Sequence, residues 1–183
     1  MQLLFTGMIF IFIDFSININ TAVIGLIPDF VGYIFIYKGL LELTQESPHF
    51  QQALPLSKIM IAVMSVLYAM DVLSITTTSR FLAIPLGMIT TALALYTIYQ
   101  IVRGVLDIEI SKKIDLFGEN LFFTWKMWAV FTALSTIPVL IPGLSVIFGL
   151  LSLIMAIILL GTFYKTKTQF YAQPKNPTHE TNL

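Results

Sequence analysis

The chain has 183 residues, of which 57% are hydrophobic and 11% are charged, with a formal net charge of zero and no cysteine. An average soluble domain carries about 25% charged residues, and a soluble fold of this size could not bury so much apolar surface. The composition therefore predicts a polytopic, all-α membrane protein. It excludes disulfides, thiol chemistry and cysteine metal sites, and the zero net charge argues against nucleic acid as a partner.

Apolar stretches separated by polar or turn-forming residues predict a bundle of about six transmembrane helices, forming one domain over residues 1–163. The predicted spans are approximately 3–17, 21–43, 57–75, 81–102, 121–137 and 143–163. From Tyr164 the composition turns polar, and residues 164–183 are predicted to form a largely disordered cytoplasmic tail.

The first two spans enclose the most unusual stretch, in which Asp14 and Asp29 lie within apolar sequence. Pro28 cannot donate a backbone hydrogen bond and crowds the carbonyl of Ile24, so span 2 is either kinked or broken there. Proline followed by aspartate is typical of a helix start, which favours a helix that begins at Pro28. The lead-in, residues 22–27, would then be a partly re-entrant segment shielded by protein.

Two polar connections separate the middle spans. Residues 44–56 are predicted to be a loop, in which His49 is a solvated side chain. Residues 103–120 carry seven charged side chains, yet their apolar residues recur in steps of three and four. These residues are Leu106, Ile110, Ile114, Phe117 and Leu121. The spacing predicts either an amphipathic helix lying in the membrane interface or a connector packed on the protein's own loops.

The basic residues are distributed unequally between the two faces of the predicted membrane. Nine fall on the face that holds both termini, and Arg80 alone falls on the other. The nine are Lys38, Lys58, Arg103, Lys112, Lys113, Lys126, Lys165, Lys167 and Lys175. Because cytoplasmic segments are enriched in lysine and arginine, both termini are predicted to lie in the cytoplasm.

Three of the ten carboxylates, Asp14, Asp29 and Asp71, fall in the outer half of the predicted membrane. Burying an aspartate there costs about 2.5–3.5 kcal/mol on insertion scales, so intramembrane acids are candidates for function. One interpretation is structural: Asp29 caps a helix, and Asp14 or Asp71 forms an ion pair with Arg80. The other is an outward-facing acidic pocket that binds a cation, a proton or a substrate amine. Its further polar ligands would be Asn18, Asn20 and Ser74.

Small residues recur along three of the spans and favour close helix packing in lipid. They include Gly32 and Gly39 in span 2, Gly87 in span 4, and Gly149 and Ser152 in span 6. We expect most of this packing to lie within one chain. The alternative is a homodimer or a partner membrane protein that packs on span 6.

One motif resembles a known group of proteins. The sequence Ile-Pro-Asp-Phe-Val-Gly-Tyr-Ile at 27–34, then Lys38-Gly39-Leu40 and Ser-Pro-His-Phe at 47–50, is similar to a motif of small uncharacterised membrane proteins of Gram-positive bacteria. The resemblance covers residues 14–55 and centres on the pattern IPDFxGY. It implies a location in a bacterial plasma membrane and no particular chemistry.

Signatures of membrane enzymes are missing from the sequence, which contains no HExxH, GxSxG or P-loop motif and whose histidines are His49 and His179. We therefore expect no metal and no cofactor. The preferred interpretation is a non-enzymatic binding or accessory component of the membrane. The alternatives are a small ion- or proton-coupled transporter that uses the intramembrane aspartates, and a membrane-embedded enzyme.

Overall fold

The computed structural model describes residues 1–12, 16–19, 22–25, 28–73, 80–135 and 142–173; for 16–19, 22–25, 71, 80–83, 142 and 143 it describes the backbone alone. This part of the chain forms six α-helices and one short β-hairpin, so the predicted helical bundle is confirmed. The helices are α1 (Gln2–Phe12), α2 (Asp29–Leu43), α3 (Pro48–Val72), α4 (Arg80–Lys112), α5 (Gly118–Ser135) and α6 (Pro142–Ala172), and the strands are β1 (Ser16–Ile19) and β2 (Ala22–Gly25).

The helices form a closed ring, because each packs on the next in the chain and α1 also packs on α6. One end of the ring, which we call the polar end, holds residue 1, the connections 44–47 and 113–117, and the last turn of α6. Here the backbone N–H of Gln2 donates to the hydroxyl of Tyr171 at 3.3 Å. The two described ends of the chain therefore lie on the same side of the bundle.

Buried side chains concentrate in the half of the bundle nearest the polar end, where Leu40, Phe50, Ile101 and Phe163 are fully buried. In the opposite half, α4 and α6 are apolar yet exposed: Ile89 of α4 is 58% exposed and Val146 of α6 is 62% exposed. A helix that is hydrophobic all round belongs in a large core or a membrane. Three described helical segments are long and apolar enough to cross one: Pro48–Met70, Ile84–Lys112 and Leu144–Ala172.

Glycine brings the backbones of α1 and α2 into direct contact. A Cβ added at Gly7 would lie 2.6 Å from the carbonyl oxygen of Gly32, and one at Gly39 would lie 2.8 Å from the amide nitrogen of Leu4. The other small residues have different surroundings: a Cβ at Gly87 or Gly149 would meet nothing within 4 Å. The hydroxyl of Ser152 is 2.6 Å from that of Thr132, across the contact between α5 and α6.

The predicted first span, residues 3–17, is not helical to its end, whereas the second span is broken before Asp29, as the favoured version predicted. Helix α1 ends at Phe12, and β1 pairs antiparallel with β2 in a register that opposes Ile19 to Ala22. Alternating β-branched residues on either side of a two-residue connection favour a hairpin over a helix. Helix α2 begins at Asp29, directly after extended Pro28, as the broken version of span 2 predicted. Its lead-in contains strand β2, and its predicted re-entrant placement stays a prediction.

The polar connections are also more helical than predicted. Helix α3 begins at Pro48, inside the predicted loop 44–56, and α6 continues to Ala172, nine residues into the predicted tail. Residues 103–112 continue α4, so a separate amphipathic helix over 103–120 is wrong. Lys113 adopts a φ of 52°, and the amide of Ile114 donates to the carbonyl of Glu109 at 3.2 Å, which ends α4.

The connection 113–117 is tied by side chains to the helices around it. One carboxylate oxygen of Glu109 accepts from the amides of Leu116 at 3.1 Å and Gly118 at 2.7 Å, which satisfies the first turn of α5. The buried hydroxyl of Thr166 in α6 donates to the carbonyl of Leu116 at 2.7 Å. These bonds connect the end of α4, the start of α5 and the last turns of α6 at the polar end.

Candidate functional site

The outer acidic pocket lies mostly outside the residues whose side chains are described. Asp14, Asn20 and Ser74 fall outside the described residues, and the backbone alone is described for Asn18 in β1, Asp71 in α3 and Arg80 in α4. Asp29 is the first residue of α2, where the helix dipole favours a carboxylate. The pocket therefore stays a prediction.

A polar cluster at the polar end joins α3 to α4. The hydroxyl of Ser47 donates to a carboxylate oxygen of Asp107 at 2.6 Å and accepts from the amide of His49 at 3.1 Å, so it caps α3. Nδ1 of His49 lies 2.6 Å from Oε1 of the buried Gln100, and Nε2 lies 3.8 Å from Asp107. His49 is thus a bonded, partly buried side chain of a helix rather than a solvated loop residue.

The sequence Ser47-Pro48 carries a signal for this arrangement, because serine followed by proline is typical of an N-cap and first helical residue. The cluster does not have the geometry of a nucleophilic triad, in which the histidine accepts the proton of the serine. Here Ser47 donates to Asp107 instead, while the histidine ring contacts Gln100. The arrangement connects two helices rather than activating a hydroxyl.

A cavity of about 400 Å³ opens between α4 and α5 near the polar end. It is lined by Arg103, Leu106, Asp107, Ile110, Glu119, Phe122 and Lys126. Two cations contact the ring of Phe122: Nζ of Lys126 lies 4.7 Å from its centroid and Cζ of Arg103 lies 5.8 Å from it. Nε of Arg103 is buried and has no hydrogen-bond partner among the described residues. The cavity is therefore lined by two basic side chains, and one N–H of Arg103 has no partner in the described structure.

An apolar groove of about 550 Å³ continues along the same two helices, farther from the polar end. It is lined by Ala92, Leu95, Tyr96, Tyr99, Trp125, Ala129, Val130 and Ala133. Tyr96 and Val130 are each 49% exposed, so the groove opens to the outside of the ring. The indole N–H of Trp125 donates to the carbonyl of Leu95 at 3.3 Å, which leaves the carbon face of the ring to line the groove.

Aromatic side chains connect the cavity to the groove. Phe122 lines the cavity and stacks on Trp125 with 6.0 Å between ring centroids, and Trp125 in turn lies 5.0 Å from Tyr99. We call the cavity and the groove together the α4–α5 seam. It places charge near the polar end and a purely apolar surface beyond it.

The seam was not among the sequence predictions, which assigned Arg103 and Lys126 to the basic face of the membrane. A signal was present, because Tyr96, Tyr99 and Arg103 recur at helical spacing on α4, and Phe122, Trp125 and Lys126 do so on α5. That spacing places each set on one face of its helix. It does not show that the two faces meet.

Within the described part of the chain, no three histidine, aspartate or glutamate side chains are arranged to hold a metal ion. The two ion pairs found there, His49 with Asp107 and Lys112 with Glu46, use neither Arg103 nor Lys126. Arg103 and Lys126, the basic pair, are therefore the candidate ligand contacts of the seam.

Comparisons with protein-family models, with curated proteins and with solved structures gave no match. Any function must therefore be argued from the geometry of the chain.

Proposed function

We propose that this chain is a multi-pass protein of the bacterial cell membrane, a non-enzymatic binding component that holds a phospholipid in the α4–α5 seam. All six helices would lie in the membrane, with both termini in the cytoplasm. The packing of α1, α2 and α5 against the three long apolar helices supports this arrangement.

The distribution of lysine supports the orientation. Lys112 and Lys113 lie at the end of α4, and Lys165 and Lys167 lie in the last turns of α6, all near the polar end. Arg80 begins α4 at the opposite end. Cytoplasmic segments are enriched in basic residues, so the polar end is assigned to the cytoplasm.

The depth of the basic pair suits a lipid headgroup of the cytoplasmic leaflet. Arg103 lies nine residues before the end of α4, and Lys126 lies eight residues after the start of α5. At 1.5 Å per residue both lie roughly 12–14 Å from the helix ends, where polar headgroups give way to acyl chains. Basic pockets between helices on the cytoplasmic side are known binding sites for phospholipid headgroups.

The observation that carries the proposal is the buried, unbonded Nε of Arg103 beside Lys126, directly above an open apolar groove. A guanidinium binds phosphate oxygens strongly, and here one of its N–H groups has no partner in the described structure, while the ammonium of Lys126 adds a second charge. The groove, lined by alanine, leucine and aromatic carbon, suits an acyl chain. One ligand with a phosphate and a hydrocarbon tail would fill both parts of the seam.

The first test compares phospholipid retention after purification in detergent, measured by native mass spectrometry. The double variant Arg103→Gln with Lys126→Gln should weaken phospholipid binding by about a hundredfold or more, since each charged hydrogen bond contributes about 1.5–3 kcal/mol and about 1.4 kcal/mol is tenfold. The matched control is Lys58→Gln with Lys167→Gln. These lysines also contact aromatic rings, at 5.4 and 4.5 Å, but in other helix contacts. Equal loss in both double variants, or in neither, would contradict the proposal.

A second variant tests the groove without altering charge. Ala92 lies exposed on the groove wall, so Ala92→Phe should fill part of the groove and lower phospholipid retention while the protein still folds. Ala62→Phe places the same ring at an exposed position of α3 and should leave retention unchanged. Unchanged retention in Ala92→Phe would mean that the acyl chain does not occupy the groove.

A further inference from the structure

The charges around the cavity are arranged as a dipole. Asp107 lies four residues beyond Arg103 toward the polar end, and Glu119 lies seven residues before Lys126 in the same direction. At 1.5 Å per helical residue these offsets are roughly 6 and 10 Å. The cavity therefore has its two basic side chains on the side away from the polar end and its two acidic side chains on the side toward the polar end, which we call the mouth.

Asp107 is held in place at this mouth. Its carboxylate accepts a hydrogen bond of 2.6 Å from the hydroxyl of Ser47, which itself caps α3, and the side chain is 34% exposed. Glu119 is an exposed residue in the first turn of α5. The mouth thus has one hydrogen-bonded carboxylate, Asp107, and one exposed carboxylate, Glu119.

We propose that the seam selects a phospholipid whose headgroup carries a primary ammonium, such as phosphatidylethanolamine. This inference rests on the proposed phospholipid site. The phosphate contacts Arg103 and Lys126, and the ammonium, which lies farther out along the headgroup, contacts Asp107 and Glu119. Each charge of the headgroup then lies beside side chains of the opposite charge.

Other headgroups fit this charge pattern less well. Phosphatidylglycerol supplies the phosphate but places an uncharged glycerol beside the two carboxylates, so neither carboxylate gains the ion pair that an ammonium would provide. Phosphatidylcholine supplies a cation, but its quaternary nitrogen has no N–H to donate, so the charge-assisted hydrogen bonds to the carboxylates are lost. The geometry therefore predicts a preference for ethanolamine over both.

The experiment measures binding of phosphatidylethanolamine, phosphatidylglycerol and phosphatidylcholine with identical acyl chains to the purified, delipidated protein by native mass spectrometry. The parent protein should bind phosphatidylethanolamine about tenfold more tightly than the other two. In Glu119→Gln with Asp107→Asn this preference should fall to about twofold or less, with phosphate-dependent binding retained. Glu119→Lys should shift the preference toward phosphatidylglycerol. The control, Glu46→Gln, changes an acid at the same end that pairs with Lys112 outside the seam.

The outcomes separate the two proposals. Equal binding of the three lipids by the parent, or a preference for phosphatidylglycerol, overturns the headgroup inference and leaves the phospholipid site standing. If none of the three lipids binds saturably, the proposed phospholipid site is wrong and the headgroup inference fails with it. The same holds if Arg103→Gln with Lys126→Gln leaves binding unchanged. A preference for ethanolamine that persists in the variant lacking both carboxylates overturns the assigned role of Asp107 and Glu119.

Discussion

At the scale of single residues, Lys113 at the end of α4 adopts a backbone conformation that is unfavourable for a residue with a side chain. Lys113 has a φ of 52°, in the left-handed region that glycine adopts without cost, and it follows the last residue of the helix. The bond from the amide of Ile114 to the carbonyl of Glu109 closes the helix end around it. Helices commonly place glycine here, and this chain places lysine.

Lys113→Gly should therefore stabilise the protein by about 0.5–1 kcal/mol, because glycine removes the steric cost of the left-handed conformation. Denaturant unfolding in detergent micelles, followed by circular dichroism, would measure the change. Lys112→Gly is the control: Lys112 is helical and pairs with Glu46 at 2.6 Å, so the same substitution one residue earlier should destabilise by about 1 kcal/mol. Destabilisation by both changes would mean that the φ of Lys113 carries no cost.

At the scale of elements, the contact between α1 and α2 depends on backbone approach at glycine. Gly32 is the clearest case, because a Cβ there would lie 2.9 Å from the carbonyl oxygen of Gly7 and 2.8 Å from a side-chain carbon of Ile11. Close approach of this kind is how helices associate where apolar burial offers little driving force. Helix α1 has only 11 residues, so the contact with α2 is the main restraint on its position.

Gly32→Ala should cost about 1–3 kcal/mol, since the added methyl forces the two backbones apart. The matched control is Gly161→Ala in α6, where a Cβ meets nothing within 4 Å and alanine improves helix propensity by up to about 1 kcal/mol. The two variants add the same atoms to a helix and should shift the thermal midpoint in opposite directions. A midpoint that falls equally in both would show that the α1–α2 contact is not close enough to exclude a methyl group.

The elements also show which structural features can be predicted from the sequence. The helical class follows from composition, and the break before Asp29 follows from Pro28, because both depend on local chemistry. The hairpin was missed because its isoleucine and valine residues suit a strand and a membrane span equally well. The signal for a strand was the alternation of polar residues with isoleucine over residues 16–19. The helical extensions over residues 48–56 and 164–172 were missed because a polar stretch was taken as the end of a helix. Polar residues are compatible with a helix where they meet water.

At the scale of the whole molecule, the seam could not be predicted, because it requires knowing that the face of α4 around Tyr99 meets the face of α5 around Trp125. These residues are 26 positions apart and belong to two helices whose relative rotation is set by the closed ring. The outer aspartates stood out in the sequence because charge is rare there. Arg103 and Lys126 did not, because lysine and arginine are ordinary near a cytoplasmic face.

For the proposed phospholipid site, the orientation of the ring would decide which leaflet supplies the lipid. The chain suits a direct test of orientation because it contains no cysteine. Single cysteines can be placed at Ser111, exposed near the polar end of α4, and at Leu73, which is 66% exposed at the opposite end of α3. In intact cells a membrane-impermeant maleimide should label Leu73→Cys and leave Ser111→Cys unlabelled, whereas a permeant maleimide should label both. In inside-out vesicles the impermeant reagent should give the reverse pattern. Labelling of Ser111→Cys from outside the cell would place the basic pair in the outer leaflet and contradict the orientation predicted from the lysines. The proposed ligand would then come from the lipids of the outer leaflet.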